Sequence, residues 1–214
     1  MSEEFVREVD EDLKEERNIK LWKKFLPYIF SISFGIVLCT SGYVIWDNYS
    51  KKSSQQLGDD FTAAVELAKE EDLDAALMAL DRIVNKGSDG YVTLSKMKKA
   101  SMLIESGQLE KGLEIYQELE KNAIDQSFRD IATILYVLNS MDSKDPDVLL
   151  EKIIPLENSK IWKSSALEMK AFVFLKKGEK EKAIEIFNSI VLMKNTPSTL
   201  SQRSRNMVDF LSEK

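Results

Sequence analysis

Lys96–Leu119 reads KMKKASMLIESGQLEKGLEIYQEL, and Leu167–Ile190 reads LEMKAFVFLKKGEKEKAIEIFNSI. The two stretches align without a gap. Ala100 falls on Ala171, Leu103 on Phe174, Gly107 on Gly178, Gly112 on Ala183, Tyr116 on Phe187 and Leu119 on Ile190. In both, apolar residues recur at helical spacing on either side of one glycine, which spells helix–turn–helix. The glycine permits positive φ where the first helix ends. The small residue midway along the first helix (Ala100, Ala171) lets the second helix approach closely. The small residue on the second helix (Gly112, Ala183) marks the next close crossing. The aromatic that follows (Tyr116, Phe187) fills the space between successive pairs.

The offset of 71 residues is about two periods of 35, which resembles the tetratricopeptide helix–turn–helix repeat. Two weaker copies complete an array. Upstream, Ala64, Leu67, Ala76, Leu80 and Ile83 keep the same internal spacings 36 residues earlier, with Glu71 in the glycine slot. Between the good copies, Ala132 and Leu135 suit a first helix, Asp142 to Asp147 makes a turn, and Val148 to Leu156 suits a second helix, with Pro155 near its end. Pro197 starts a last helix, with Thr196 as its cap and Leu200, Met207, Phe210 and Leu211 on its buried side. A terminal helix that covers the last apolar face is what an open-ended solenoid requires.

Outward from the repeats lies a different signal. Phe25 to Trp46, FLPYIFSISFGIVLCTSGYVIW, is 22 residues without a charge, in a chain that is 31% charged. As a helix it spans about 33 Å, enough to cross a hydrocarbon core. Aromatic residues flank it, Trp22, Phe25 and Tyr28 before and Tyr43, Trp46 and Tyr49 after, as at two membrane–water interfaces. The run is too long for a signal-peptide core and no small-residue cleavage site follows. Lys14, Arg17, Lys20, Lys23 and Lys24 precede it closely, against Lys51 and Lys52 after it, which places the N-terminus in the cytoplasm. The expected architecture is all-α: one N-terminal transmembrane helix, then a tetratricopeptide-like α-solenoid of about four helical pairs with a C-terminal capping helix. The expected boundaries are a charged segment 1–24, the span 25–46, a juxtamembrane linker 47–56 and the repeat domain 57–214. Segment 1–24 reads either as an amphipathic helix, with Phe5, Val9 and Leu13 on one face, or as a partly disordered charged tail.

The composition excludes most chemistry. There is no histidine, and the one cysteine, Cys39, lies inside the apolar run. The usual general base, thiolate nucleophile and soft metal ligands are therefore missing, and so is any intrachain disulfide. No phosphate-binding glycine loop and no nucleophile elbow occurs. The carboxylates sit in turns or on outer faces beside lysines, as a solvated surface does. We expect no enzyme, no cofactor and no metal. The net charge of −6 argues against nucleic acid.

What remains is protein binding. In stacked helical pairs the first helices line a groove. Carrying the groove positions over gives Phe61 and Val65 from the first copy, Met97 and Ile104 from the second, Arg129 and Tyr136 from the third, and Glu168 and Phe172 from the last. This mixed, mostly apolar set suits an extended or amphipathic peptide. Alternatively, part of the set packs against the terminal helix.

The order of features resembles one family: EVDEDLKEER, then LWKKFLPYI running into a lone span, a GYVIWDNY exit, and a degenerate repeat domain. It looks like the ancillary SecYEG translocon subunits of Gram-negative bacteria. The resemblance implies a single-pass inner-membrane protein with a periplasmic domain. It also implies partnership with the Sec translocon, periplasmic chaperones and exported polypeptides, with residues 25–46 in the bilayer. A second expectation is a self-associating envelope or division assembly factor, in which the partner is another copy of this chain. Ser31 and Gly35 form a weak small-xxx-small pair for that purpose; no GxxxG is present.

Overall fold

Gly107 and Gly178 both adopt positive φ, 84° and 79°, and both close a helix in the same way. The amide of Gly107 donates to Ile104 O and that of Gln108 to Leu103 O; Gly178 donates to Leu175 O and Glu179 to Phe174 O. This reciprocal pair of bonds is the Schellman motif, which satisfies the last carbonyls of a helix while reversing the chain. The computed structural model in which these turns lie describes residues 2–70 and 72–213, with the side chains of Lys24 and of residues 34–70 and 72–213. Glu71, expected in the glycine slot of the first pair, lies outside the described residues. Its neighbours keep the longer of the two bonds, Asp72 N to Leu67 O at 3.1 Å.

Among the described residues every regular element is helical. The α-helices are α1 (Ser2–Lys69), α2 (Leu73–Lys86), α3 (Asp89–Glu105), α4 (Leu109–Asn122), α5 (Gln126–Ser140), α6 (Pro146–Ile153), α7 (Lys163–Lys176), α8 (Lys180–Leu192) and α9 (Ser198–Ser212). A 3-10 turn, Ile154–Asn158, follows α6. Two compact units divide the chain, residues 1–55 and 56–214. In the second, the end of α1 pairs with α2, α3 with α4, α5 with α6 and α7 with α8, and α9 covers the open face of the last pair. Consecutive helices from α2 to α9 pack on one another, and α3, α5, α7 and α9 also pack in a row, each on the next.

The core follows the sequence frame. Ala64, Ala100 and Ala171 are fully buried at the first-helix crossing. On the second helices, Ala76, Leu80 and Ile83, then Gly112, Tyr116 and Leu119, then Ala183, Phe187 and Ile190 are buried. In the third pair Leu149, Ile153 and Leu156 are buried with the same steps of four and three residues. In the other pairs the crossing residue lies twelve positions ahead of this triad; twelve before Leu149 is Val137, also fully buried. The frame of the third pair therefore runs through Val137, five residues beyond Ala132.

Three local expectations are corrected. Helix α6 stops at Ile153, because Pro155 removes an amide and clashes with the preceding turn, so the chain tightens into the 3-10 turn. Thr196 does not cap α9: its hydroxyl donates to Ile190 O at 3.1 Å and so closes the end of α8. Phe210 is exposed rather than on the buried side of α9, where Leu200 is buried and Met207 and Leu211 pack beneath it.

Two core positions carry a cost. The hydroxyls of Ser95 on α3 and Ser204 on α9 are buried and make no hydrogen bond. An unsatisfied buried hydroxyl is penalised by its lost hydration. Ser95→Ala and Ser204→Ala are each expected to raise stability, by about 1 kcal/mol, measured as the midpoint of urea unfolding.

Candidate protein-docking face

Helices α3, α5, α7 and α9 form the row on which a groove would be built, together with the end of α1. The frame through Val137 fixes which side chains share its face: positions three before, one after and four after each crossing residue. They are Phe61, Val65 and Ala68; Met97, Ser101 and Ile104; Ile134, Leu138 and Met141; Glu168, Phe172 and Leu175. Most are half-buried. Leu138 is 49% exposed and is the most open large apolar side chain of this set.

The expected groove residues have the following places. Phe61 packs beside Ala64 and Ala76, and Val65 is half-buried next to it. Met97 and Ile104 are half-buried against the central cluster. Phe172 meets Phe187 edge-to-face, with ring centroids 5.4 Å apart and planes at 74°. Such pairs hold the ring orientation as well as burying area. Glu168 is buried, and its two carboxylate oxygens accept from Arg203 Nε and Nη2 of α9 at 2.6 and 2.7 Å. It faces the terminal helix, the alternative left open for part of this set. The same bond, ahead of the opposing burial, pushes the Arg203 guanidinium pKa up.

Arg129 and Tyr136 belong to the frame through Ala132 and so fall off the row. Tyr136 is buried, with Lys152 Nζ 5.0 Å from its ring centroid. Arg129 lines a cleft of about 500 Å³ walled by Glu120 of α4 and Glu151 and Lys152 of α6. Its guanidinium donates to Ala123 O at 2.8 Å and to Gln126 Oε1. Beside it, buried Asp130 accepts from Gln126 Nε2 and from Ser159 Oγ, both at 2.6 Å. Lys152 is spent on Glu120 at 2.7 Å. Arg129, Asp130 and Lys152 are all engaged within the protein, which makes the cleft a structural joint between α4, α5 and α6. Among the described residues no group of three histidines, cysteines or carboxylates lies together as a metal would need.

The residue that sequence reasoning missed is Leu138. The signal that could have found it is the second-helix triad Leu149, Ile153 and Leu156, whose spacing is stricter than the placement of a small residue.

Tyr116 shows how tightly the pairs join. Burial, and then the Glu105 carboxylate, push its hydroxyl up from 10.0 to about 12. Below pH 10 the tyrosine is protonated whether the chain is folded or not, and its contribution is complete. Between the two values only the unfolded chain loses the proton, so stability falls as pH rises through the folded value. Tyr116→Phe is expected to remove that part of the alkaline destabilisation, followed as urea midpoints from pH 9 to 12.

Among the described residues no helix is long and apolar enough to cross a membrane. The side chains of residues 25–33, the first part of the expected span, lie outside them, and the remaining thirteen residues, 34–46, reach only about 20 Å as a helix.

Comparison with protein families matches residues 20–207 to a tetratricopeptide repeat-like domain. No curated protein and no solved structure matches the chain. The family match covers most of the sequence, taking in the four helical pairs together with the apolar segment before them and most of α9, so the chain belongs to the tetratricopeptide repeat-like domain family, a class of protein–protein interaction scaffolds.

Proposed function

We propose that this chain is a non-catalytic, membrane-anchored scaffold of the cell envelope, ancillary to the Sec translocon. Its first-helix row holds extended segments of exported polypeptides and passes them to periplasmic chaperones. The observation that carries the reading is the row itself: a continuous face on α1, α3, α5 and α7, apolar but not closed, with Leu138 open at its middle. Met97, Met141 and Phe172 around it are adaptable or aromatic contacts suited to varied sequences.

The anchor is supported by exposure. From Phe34 to Trp46 the large apolar side chains Phe34, Ile36, Val37, Leu38, Tyr43, Val44, Ile45 and Trp46 are all more than half exposed. An uncovered apolar helix of this kind needs hydrocarbon around it. The lysine bias before residue 25 supports a cytoplasmic N-terminus and a periplasmic repeat domain. The translocon partnership rests on the LWKK and GYVIWDNY flanks and the repeat domain behind them.

The test is affinity purification of the tagged full-length protein from gently solubilised membranes after cross-linking in cells, alongside Leu138→Glu. Translocon subunits and exported proteins are expected with the natural chain, and the exported proteins are expected to be lost with Leu138→Glu. Recovery of only further copies of this chain, or of division proteins, would replace this reading with a self-associating assembly factor.

A further inference from the structure

The solenoid has two long edges, and they differ. At one, the chain turns within a pair, beside Glu70 and Asp72 and at residues 106–108, 141–145 and 177–179. At the other it passes from one pair to the next, at residues 87–88, 123–125 and 159–162, and from the last pair to α9 at residues 193–197. The loops of the second edge are held side by side. Trp162 Nε1 donates to Ser127 O at 2.9 Å and Ser127 Oγ at 3.0 Å, and Ser164 Oγ lies 3.4 Å from Thr196 Oγ1.

The inter-pair edge carries Ile124, Ile161 and Leu192, which are 50%, 68% and 82% exposed. Lys121, Lys160 and Lys194 stand exposed beside them, and among the described residues none of the three is in an ion pair. The acids nearby are engaged: Asp125 accepts from Phe128 N at 3.0 Å, and Glu157 from Lys170 at 2.6 Å. The intra-pair edge is the reverse. Its turns carry no exposed large apolar side chain among the described residues. Three of its lysines are used internally: Lys144 on Glu110, Lys177 on Asp147 and Glu179, and Lys176 on the carbonyls of Met141 and Lys144, while Lys69 beside the first turn is exposed.

We infer that the inter-pair edge docks on the surface of a bilayer containing anionic phospholipid. Aliphatic side chains interleaved with free lysines match an interface where acyl chains meet phosphate headgroups. Chain direction agrees. Residues 56–69 run from this edge to the Asp72 turn at the other, so the repeat unit begins at the edge that carries these residues. Docking holds the opposite edge away from lipid and limits the angles at which the groove meets a polypeptide. This inference rests on the membrane-anchored reading.

The test uses the full chain with Cys39→Ser and one new cysteine, Leu192→Cys or Asp142→Cys. Each is labelled with an environment-sensitive fluorophore and reconstituted in phosphatidylethanolamine–phosphatidylglycerol vesicles or in phosphatidylcholine alone. Retention through an alkaline wash is scored first. The result expected is retention in both lipids, with a blue shift and nitroxide-lipid quenching at residue 192 only. Both signals should grow with phosphatidylglycerol and disappear when Lys121, Lys160 and Lys194 are changed to glutamine. A retained chain whose residue 192 stays in water overturns the inference and leaves the anchor intact. A shift that follows protein density rather than lipid charge assigns the edge to a second copy and also overturns it. Loss of the chain in the wash overturns the anchored reading, and the inference with it.

Discussion

Gly112→Val is expected to unfold the second helical pair. A Cβ at position 112 would sit 2.4 Å from Ile104 Cγ1 and 2.7 Å from the Ala100 carbonyl oxygen. The first neighbour can turn aside; the second is backbone and can yield only if α3 and α4 move apart. Overpacking of this kind ordinarily costs about 1–3 kcal/mol, and contact with main chain puts the valine at the top of that range or above. In an array where each pair is stabilised by its neighbours, the loss spreads to the adjoining interfaces. The sign of the smaller change is equally informative. Glycine inside a helix is worse than alanine by about 1 kcal/mol, so Gly112→Ala would stabilise α4 if the site were open. Here Gly112→Ala is expected to destabilise, and Ile104→Ala to relieve only part of the loss. Urea unfolding followed by helical circular dichroism checks all three variants.

Arg203→Ala is the second large effect, expected to lower stability by about 3 kcal/mol. Glu168 is buried on α7, and its charge is answered by the bidentate guanidinium from α9. Removing the arginine leaves a carboxylate out of water without a partner, which is the costly way to break such a pair. Arg203 itself is 56% exposed in its side chain, so the reverse change, Glu168→Met, leaves the guanidinium hydrated and costs less. The double variant Glu168→Met with Arg203→Met is expected to recover most of the loss, measured as unfolding midpoints in a double-mutant cycle. If Arg203→Ala is instead neutral, α9 is not clamped through this pair. Loosening α9 uncovers Leu200, Phe187 and Ile190, the apolar end of the solenoid, so the variant is also expected to aggregate sooner on heating.

The first of these sites marks where the sequence speaks plainly. In the second and fourth pairs one residue type answers one geometric need: Gly107 and Gly178 for positive φ, Gly112 and Ala183 for close approach, Tyr116 and Phe187 for the gap between pairs. The third pair is less legible because its needs are met by residues from elsewhere. Its turn has no glycine. The carbonyls of Met141 and Lys144 are satisfied by Lys176, which reaches back from α7. Its crossing residue is Val137 rather than alanine, while a buried alanine, Ala132, lies five positions earlier and offers a false frame.

The frame through Ala132 puts the third pair's groove residues at Arg129 and Tyr136 and passes over Leu138. The sequence also shows Thr196 beside Pro197, the usual order for a cap, but nothing local reveals that the carbonyl of Ile190 takes the hydroxyl first. The pairing of Glu168 with Arg203 spans 35 residues, about one repeat, and no short-range pattern encodes it.

The account turns on which face of the solenoid meets other proteins. The most direct measurement places a photo-cross-linking amino acid at position 138, and in a separate strain at Glu114 on the outer side of α4, in the full-length protein in intact cells. The account predicts adducts with exported polypeptides from position 138 and none from position 114. Adducts from position 114 alone, or equal yields from both, would contradict it.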